Sequence, residues 1–201
     1  MEEFTRTGLR VWYPPSAGNQ YLVAVDPAGG GIDGDNAAIQ VIDLRTGMQC
    51  AEAAEHICPA DTAREARRLA ARYNGALLAV ERNGIGEAVL AHLSGLYPYD
   101  RLFHADDGRA GWKTTDASRD TMLAALEAVL GQSPNLYSSE RLLRELRSFV
   151  RQSNGKYSAQ AGQHDDCVMA MAVAHAARHE YLTAERYRGD RCDRGIRRLK
   201  P

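Results

Sequence analysis

A long apolar segment near the carboxyl end of this 201-residue chain constrains the fold most strongly. The segment reads CVMAMAVAHAA from Cys167, and no charged side chain follows until Arg178. A helix that is apolar on every face has to be buried on every face. We therefore expect a central helix from about Asp165 to Tyr181, with the paired acids Asp165 and Asp166 at its buried amino-terminal end.

The first half of the chain has the pattern of a β-meander. Three short apolar runs, YLVAVD, AAIQVIDL and MQCAEAAEHI, are separated by turn-rich segments. Such short connections favour antiparallel pairing. The next segment, ADTAREARRLAARY, repeats Ala and Leu at helical spacing and carries Thr62 and Glu65 in capping-box register. ALLAVE then returns to a strand pattern, and a strand, helix, strand crossover of this kind favours parallel pairing.

The rest of the chain alternates between helical and strand patterns. Helical spacing is found in GEAVLAHLSGL, DASRDTMLAALEAVL and SSERLLRELRSFV, a strand pattern in YDRLFHA, and a hairpin pattern around SNGK. The sequence therefore predicts the α/β class, with a mixed sheet of three antiparallel strands followed by parallel strands and with flanking helices.

One folded domain is expected to account for most of the chain. Positions 1–19 are rich in turn-forming residues and are predicted to be a linker-like lead-in, with ordered structure from Tyr21. Positions 20–182 are predicted to form the domain, and positions 183–201 a flexible, basic tail that is too polar for a core. No apolar run is long enough to span a bilayer and the amino terminus has no signal-peptide core, so we expect a soluble, intracellular protein with no membrane partner.

Carboxylates stand where two of the apolar runs stop. YLVAVD ends at Asp26 and ALLAVE ends at Glu81. If these strands are parallel, both acids lie at one edge of the sheet, where the start of the central helix adds Asp165 and Asp166. Each acid also has a purely structural explanation, as a helix cap, a first-turn acid, a turn residue or an exposed strand end. Together the acids favour a cluster whose mutual repulsion requires a positive partner.

A cluster made only of carboxylates selects hard divalent cations. We therefore predict Mg²⁺ or Mn²⁺ as the cofactor, held by Asp26, Glu81, Asp165 and Asp166. Two such ions, roughly 3.5 to 4 Å apart, are the arrangement found in many enzymes that cleave phosphodiesters. The predicted reaction is accordingly the metal-dependent hydrolysis of a nucleic-acid backbone.

Basic side chains offer candidate contacts to such a backbone. With 25 basic and 26 acidic residues the net charge is only −1, so a nucleic-acid partner has to be argued from local patches. Arginines recur at three- or four-residue spacing from Arg141 onward, a pattern that usually marks a solvated helix face. The candidate phosphate contacts are Lys113, Arg144, Arg147, Arg151 and Lys156.

Several motifs, taken in order, are similar to those of one known family. The segments YLVAVDPAGGGIDGDNAAIQVI, LLAVERNGIGEAV, GWKTTDASRDTMLAALEAVL, LLRELRSF and GQHDDCVMAMAVAHA resemble the nuclease domain of the large terminase subunit of tailed bacteriophages and herpesviruses. The resemblance covers about positions 11–181. Its most specific parts are the D-P-A-G-G-G loop, the E-x-N-G-x-G turn and the H-D-D helix start.

The resemblance implies an RNase H-like fold and metal-dependent double-strand cuts in concatemeric viral DNA during genome packaging. It carries over Asp26, Glu81 and Asp166 as the catalytic, metal-binding acids, with Asp165 as an adjacent candidate ligand. It also implies an ATPase domain in the same full-length protein, a terminase small subunit and a portal as partners, and a location in the cytoplasm of the infected host cell. The chain has no Walker motif, so no motor activity is assigned to it.

Two other functions remain open from the sequence. A junction resolvase of the same fold would favour branched DNA, and a non-catalytic docking module would bind DNA without cleaving it. The intact acids speak against the docking module, because carboxylates that face DNA weaken the binding of its phosphates.

Overall fold

The computed structural model describes residues 8–30, 36–153 and 155–197, with positions 186–197 described by their backbone alone. Its main sheet has five strands in the order β1-β4-β3-β2-β5. The strands are β1 (Arg10–Val11), β2 (Tyr21–Asp26), β3 (Ala37–Asp43), β4 (Gln49–Glu55) and β5 (Leu77–Val80). The first four strands in this order pair antiparallel, β1 with β4, β4 with β3 and β3 with β2. The last strand, β5, pairs parallel with β2. The predicted α/β class with a mixed sheet is confirmed.

Helices and a small second sheet complete the described structure. The helices are α1 (Pro59–Arg72), α2 (Gly86–Gly95), α3 (Asp116–Gln132), α4 (Glu140–Ser148) and α5 (Asp166–Arg197), with a short 3-10 helix at Pro134–Leu136. The strands β6 (Phe149–Arg151) and β7 (Tyr157–Ala159) form the hairpin that the sequence predicts around SNGK. Among the described helices, none is long and apolar enough to cross a membrane.

The main sheet is covered on both faces. On β2, the side chains of Leu22 and Ala24 pack into a core with α3, α4 and α5, whereas Val23 and Val25 pack into a second core with α1 and α2. This alternation follows from the two-residue period of a strand. Burial on both faces explains why YLVAVD is apolar up to its final acid.

The apolar segment forms the start of α5 and lies against β2 and β3. Every residue from Cys167 to Ala174 has 5% or less of its surface exposed, so the expected burial on all faces is confirmed. The helix continues to Arg197, well beyond the expected end at Tyr181. This helical backbone includes most of the tail predicted from position 183, and the flexibility of that tail stays a prediction. Positions 198–201 lie outside the described residues.

The predicted linker-like lead-in is partly folded. Arg10–Val11 forms β1 and pairs with Glu52 and Ala51 of β4. This pairing covers the outer edge of β4, whose backbone groups would otherwise lack strand partners. Ordered structure therefore begins before Tyr21, contrary to the expectation from the sequence. Positions 1–7 lie outside the described residues, and the division of the chain into domains stays a prediction.

The start of α1 also differs from the expected one. The helix begins at Pro59, directly after Cys58, and Thr62 lies inside it, where its Oγ1 donates to the carbonyl oxygen of Cys58 at 3.0 Å. The predicted capping box at Thr62 and Glu65 is wrong, because a proline is well suited to the first helical position and starts the helix one turn earlier.

Two further segments keep only part of their predicted structure. YDRLFHA forms isolated bridges, in which Leu102 lies opposite Leu78 and His104 opposite Ala110, and no continuous strand. SSERLLRELRSFV is helical only as far as Ser148, after which Phe149–Arg151 is the first strand of the hairpin. The aromatic and β-branched residues at this boundary favour a strand over a helix.

Candidate metal centre

Asp26 and Glu81 lie side by side at one edge of the main sheet. Asp26 is the last residue of β2, and Glu81 directly follows β5. The parallel register pairs Val25 with Val80, and the backbone N–H of Glu81 donates to the carbonyl oxygen of Val25 at 2.9 Å. The ladder of backbone hydrogen bonds therefore sets the spacing of the two acids.

The start of α5 brings two further acids to this edge. Asp166, the first residue of the helix, is 5% exposed, and its Oδ2 accepts a hydrogen bond of 3.1 Å from the backbone N–H of Asn36. Asp165 is half-buried, and its Oδ2 accepts a bond of 3.2 Å from the N–H of Ala159. His164 is exposed, and its Nδ1 lies 3.7 Å from Oδ2 of Asp166, which is an ion pair only when the imidazole is protonated.

The other three acids lie close enough to Asp26 to raise its pKa. Burial raises the pKa of Asp26 well above its usual range, and the charge of Glu81 and a hydrogen bond with its carboxyl group raise it further. The charges of Asp166 and then Asp165 add smaller increases.

The donor set suits a divalent cation, although it is not preassembled around one. Within the described ranges, no three side chains of His, Cys, Asp or Glu already form a group that could hold a metal ion. The four carboxylates all offer oxygen, the donor that Mg²⁺ and Mn²⁺ prefer, so these residues fit the ions in kind.

A tightly packed turn fixes the position of Glu81. The next residue, Arg82, is buried and forms a two-point ion pair with Asp107, in which its Nη1 donates to Oδ1 at 3.1 Å and its Nη2 donates to Oδ2. Gly86 begins α2 so close to Glu81 that a Cβ there would stand 1.7 Å from the carbonyl oxygen of Glu81. Only glycine lets α2 start directly beside the acid.

Two residues next to the acids are missing from the sequence-based prediction. Glu145 on α4 is buried, and its Oε2 accepts hydrogen bonds from the backbone N–H groups of Cys167 at 2.8 Å and Val168 at 3.3 Å. The sequence contains a signal for the burial of Glu145, because this residue lies three positions after the buried Leu142 and therefore on the same face of α4. Asn36, which binds Asp166, offers no signal beyond its place just before β3.

The arginines of α4 divide between the surface and the interior. Arg144 and Arg147 are exposed, and so is Arg151 at the end of β6. Arg141 is instead half-buried, and its Nη1 donates to the carbonyl oxygen of Ala54 at 3.0 Å. Arg141 thus has a structural role in holding α4 against β4. The arginines exposed for contact with a ligand are Arg144, Arg147 and Arg151.

The candidate lysines lie at the amino-terminal end of α3. Lys113 is exposed and stands three residues before Asp116, the first residue of the helix. Lys156, at the turn of the hairpin, forms an ion pair of 2.7 Å with Asp116 in which both side chains are exposed. The hairpin and the start of α3 are thus neighbours, whereas Arg144 and Arg147 belong to a different helix.

Solved structures of similar shape come from phage terminases. The large terminase nuclease of the thermophilic phage G20c with bound magnesium matches with a TM-score of 0.66 at 21% sequence identity, over 85% of this chain and 88% of that chain. The same nuclease with bound cobalt matches with a TM-score of 0.66 at 20% identity, over 85% and 88%. The large terminase nuclease domain of Thermus phage P74-26 gives a TM-score of 0.60 at 20% identity, over 84% and 85%. The predicted RNase H-like fold is confirmed by this likeness.

The sequence itself matches a known protein family over most of its length. Residues 23–178 match the family described as Terminase RNaseH-like domain. The matched range contains Asp26, Glu81, Asp165 and Asp166. Comparison with curated proteins gave no match. The resemblance noted in the sequence motifs is thereby confirmed, and the chain belongs to the family of terminase RNase H-like domains.

Proposed function

We propose that this chain is a metal-dependent DNA endonuclease, the nuclease domain of the large subunit of a phage DNA-packaging terminase. The observation that carries the proposal is the meeting of four acids at one sheet edge: Asp26 from β2, Glu81 after β5, and Asp165 and Asp166 at the start of α5. Gathering like charges opposes folding, and clusters of this kind are typical of functional sites. The family and the fold support the same reaction.

The proposed catalytic acids are Asp26, Glu81 and Asp166. With Asp165 beside them, they would hold two Mg²⁺ or Mn²⁺ ions. The G20c nuclease has bound magnesium in one structure and bound cobalt in another, which supports the use of a divalent cation here. Such ions, when bound, lower the pKa of the attacking water and stabilise the leaving 3′ oxygen.

The protein supplies a rigid frame for these acids. The paired backbones of β2 and β5 hold Asp26 and Glu81 at a fixed separation. The backbone N–H of Asn36 holds Oδ2 of Asp166, which sets the direction of that carboxylate. Sites built on strands and helix ends hold their geometry better than sites built on loops alone. These contacts restrain the positions of Asp26, Glu81 and Asp166, and a bound cation would draw their carboxylates together.

The proposed substrate is double-stranded DNA, in the family's setting the concatemeric viral genome. The exposed side chains of Arg144, Arg147 and Arg151, together with Lys113 and Lys156, are the proposed contacts to its phosphates. Contacts to the backbone position the DNA but carry no sequence information. Cleavage is therefore expected to be largely independent of sequence.

The direct test is the cleavage of supercoiled plasmid by the purified chain in Mg²⁺, Mn²⁺, Ca²⁺ or EDTA, beside the variants Asp26→Ala and Asp166→Ala. The proposal predicts nicked and linear products with Mg²⁺ or Mn²⁺ for the wild type, and none for either variant when circular dichroism shows an intact fold. Cleavage that survives both substitutions would place the active site elsewhere.

The same assay separates the two rival functions. A four-way junction cut in preference to a linear duplex of equal length would point to a junction resolvase. DNA binding without cleavage, in the chain and also in the protein joined to its ATPase domain, would point to a docking module. The proposal predicts cleavage of the linear duplex at a rate at least equal to that of the junction.

The family also suggests the setting of the reaction. We infer that the ATPase domain of the same full-length protein, the terminase small subunit and the portal are partners, and that the protein acts in the cytoplasm of the infected host cell. Co-purification of the full-length protein with the tagged portal and small subunit tests this inference. Failure of both to bind would contradict it.

A further inference from the structure

The side chain of Glu145, on α4, caps the amino-terminal end of α5. The first N–H groups of an α-helix have no partner within the helix and need an acceptor from outside. Here the single atom Oε2 of Glu145 accepts from the backbone N–H groups of Cys167 and Val168, at 2.8 and 3.3 Å. Glu145 is 9% exposed, so this contact is made in the protein interior.

The acids at the start of α5 do not cap their own helix in this way. The side chain of Asp165 is engaged by the N–H of Ala159 on β7, and its backbone carbonyl accepts the helical bond from Met169. The side chain of Asp166 is engaged by Asn36, which lies just before β3. Glu145 thus accepts from the N–H groups of Cys167 and Val168, while the carboxylates of Asp165 and Asp166 bind the backbone of β7 and of the residue before β3.

The helix that carries Glu145 is itself tied to the main sheet. Oε1 of Gln49 on β4 accepts from the backbone N–H groups of Ser138 and Ser139, at 2.8 and 2.9 Å, just before α4 begins. Nε2 of Gln49 donates to Oε1 of Gln40 on β3 at 2.8 Å. A chain of buried hydrogen bonds thus leads from the sheet through α4 to the first turn of α5, the turn that begins with Asp166.

We propose that Glu145 is a positioning residue for Asp166, which it holds at the metal centre by fixing the first turn of α5. The inference rests on the proposed function, because it assigns Glu145 a role in a metal site. Residues that orient metal ligands in this way commonly change metal affinity by about 10- to 100-fold when they are replaced.

Two substitutions distinguish the effect of losing the capping oxygen of Glu145 from the effects of losing its charge or its volume. Glu145→Gln keeps an oxygen that can accept both N–H groups, whereas Glu145→Met fills the same space without an acceptor. The control is Tyr73→Phe, which removes a part-buried hydrogen bond on the opposite face of the sheet, from the Tyr73 hydroxyl to the carbonyl oxygen of Tyr13 at 3.0 Å.

The first measurement is amide hydrogen exchange in the metal-free protein. Glu145→Met is expected to speed exchange at Cys167 and Val168, while Glu145→Gln and Tyr73→Phe leave these two amides protected. The second measurement is the binding of Mn²⁺ alone by titration calorimetry. Glu145→Met is expected to raise the Kd for Mn²⁺ by about 10- to 100-fold, and Glu145→Gln to retain most of the affinity.

The Asp26→Asn variant distinguishes the two ways in which the experiment can fail. If wild type binds Mn²⁺, Asp26→Asn loses the binding and Glu145→Met binds as wild type does, the role of Glu145 is overturned while the metal centre stands. If Tyr73→Phe weakens binding as much as Glu145→Met, the effect is one of general stability and the role is likewise overturned. If wild type binds no Mn²⁺, or if Asp26→Asn binds it equally well, both the proposed metal centre and the proposed role of Glu145 are overturned.

Discussion

Asp26, the last residue of β2, and Glu81, directly after the parallel strand β5, lie beside each other at one edge of the main sheet. The pKa of Asp26 is raised by burial first and by the charge of Glu81 next. The folded protein therefore binds this proton more tightly than the unfolded chain does, and stability falls as the pH rises through the raised pKa. Above this raised pKa, the charged Asp26 beside Glu81 therefore opposes folding.

Asp26→Asn should make the metal-free protein more stable. The substitution removes one repelling charge, and because the half-buried side chain is partly screened by water, the gain should be of the order of 1 kcal/mol, or about 2–4 °C in Tm. Thermal unfolding in EDTA at neutral pH measures it. Asp120→Asn, at an exposed position of α3, is the control and should leave Tm unchanged. A lower Tm for Asp26→Asn would show that the acid cluster does not oppose folding.

Mg²⁺ should stabilise the wild type and not the Asp26→Asn variant. A cation that binds only the folded state adds about 2.7 kcal/mol to the free energy of unfolding at 100 times its Kd. The expected result is a Tm that rises with Mg²⁺ concentration and returns to its starting value after EDTA is added. Equal stabilisation of both proteins would mean that the cation binds away from Asp26.

Gly86→Ala should damage the protein at the turn that carries Glu81. The added Cβ would stand 1.7 Å from the carbonyl oxygen of Glu81, so α2 or the acid has to move. Overpacking of this kind typically costs about 1–3 kcal/mol. Gly95→Ala is the matched control, because it lies in the same helix with nothing within 4 Å of its added Cβ. Urea unfolding should show a loss for Gly86→Ala alone, and equal stability of the two variants would contradict the packing described here.

His175 should make the protein sensitive to acid. Burial within α5, and then the charge of Arg178, lower its pKa from 6.5 to about 4, and its Nε2 lies 2.8 Å from the hydroxyl of Tyr137. Between these pH values the unfolded chain binds more protons than the folded protein. The free energy of unfolding is therefore expected to fall as the pH drops from about 6.5 toward 4, by up to about 3 kcal/mol from this group.

Urea unfolding of wild type and His175→Gln at neutral pH and at about pH 5 measures the contribution of His175. The variant cannot take up the proton, so its loss of stability at the lower pH should be smaller than that of the wild type. Equal losses would show that other groups account for the acid sensitivity.

Arg144 and Arg147 should contribute to DNA binding through charge alone. Each lost contact to a phosphate should reduce the slope of log K against log salt by about 0.9 for duplex DNA. Binding of the Arg144→Gln, Arg147→Gln double variant to duplexes of different sequence, measured over a range of salt, gives that slope. Arg64→Gln on α1 is the control, since Arg64 is already paired with Asp61. An unchanged slope in the double variant would remove α4 from the DNA interface.

The acids of the candidate centre could be located from sequence because each lies at the end of a local pattern. An apolar run that stops at Asp26 or Glu81 marks a strand buried on both faces. The segment after Asp166 marks a helix buried on all sides. These patterns depend on the order of residues along the chain, which is why the mixed sheet and α5 were predictable.

The features that the sequence did not disclose depend on contacts between distant segments. Glu145 is one of two acids in a basic helix, and only its packing against α5 shows it bound to Cys167. In the sequence Arg141 looks like the exposed arginines that follow it, and only the position of β4 shows that it binds the backbone of Ala54. Asn36 gains its role only when α5 brings Asp166 to the loop before β3. For Glu145 the helical period indicates the buried face of α4 but not the partner it binds, and for Arg141 and Asn36 no periodic signal along the chain indicates the contact.

The most direct test of the central claim is the location of Mn²⁺ in crystals of the wild-type protein by anomalous scattering. The account predicts Mn²⁺ bound by the carboxylates of Asp26, Glu81 and Asp166, and no anomalous peak there in crystals of the Asp26→Asn variant. Mn²⁺ bound elsewhere while these three carboxylates remain unligated would contradict it.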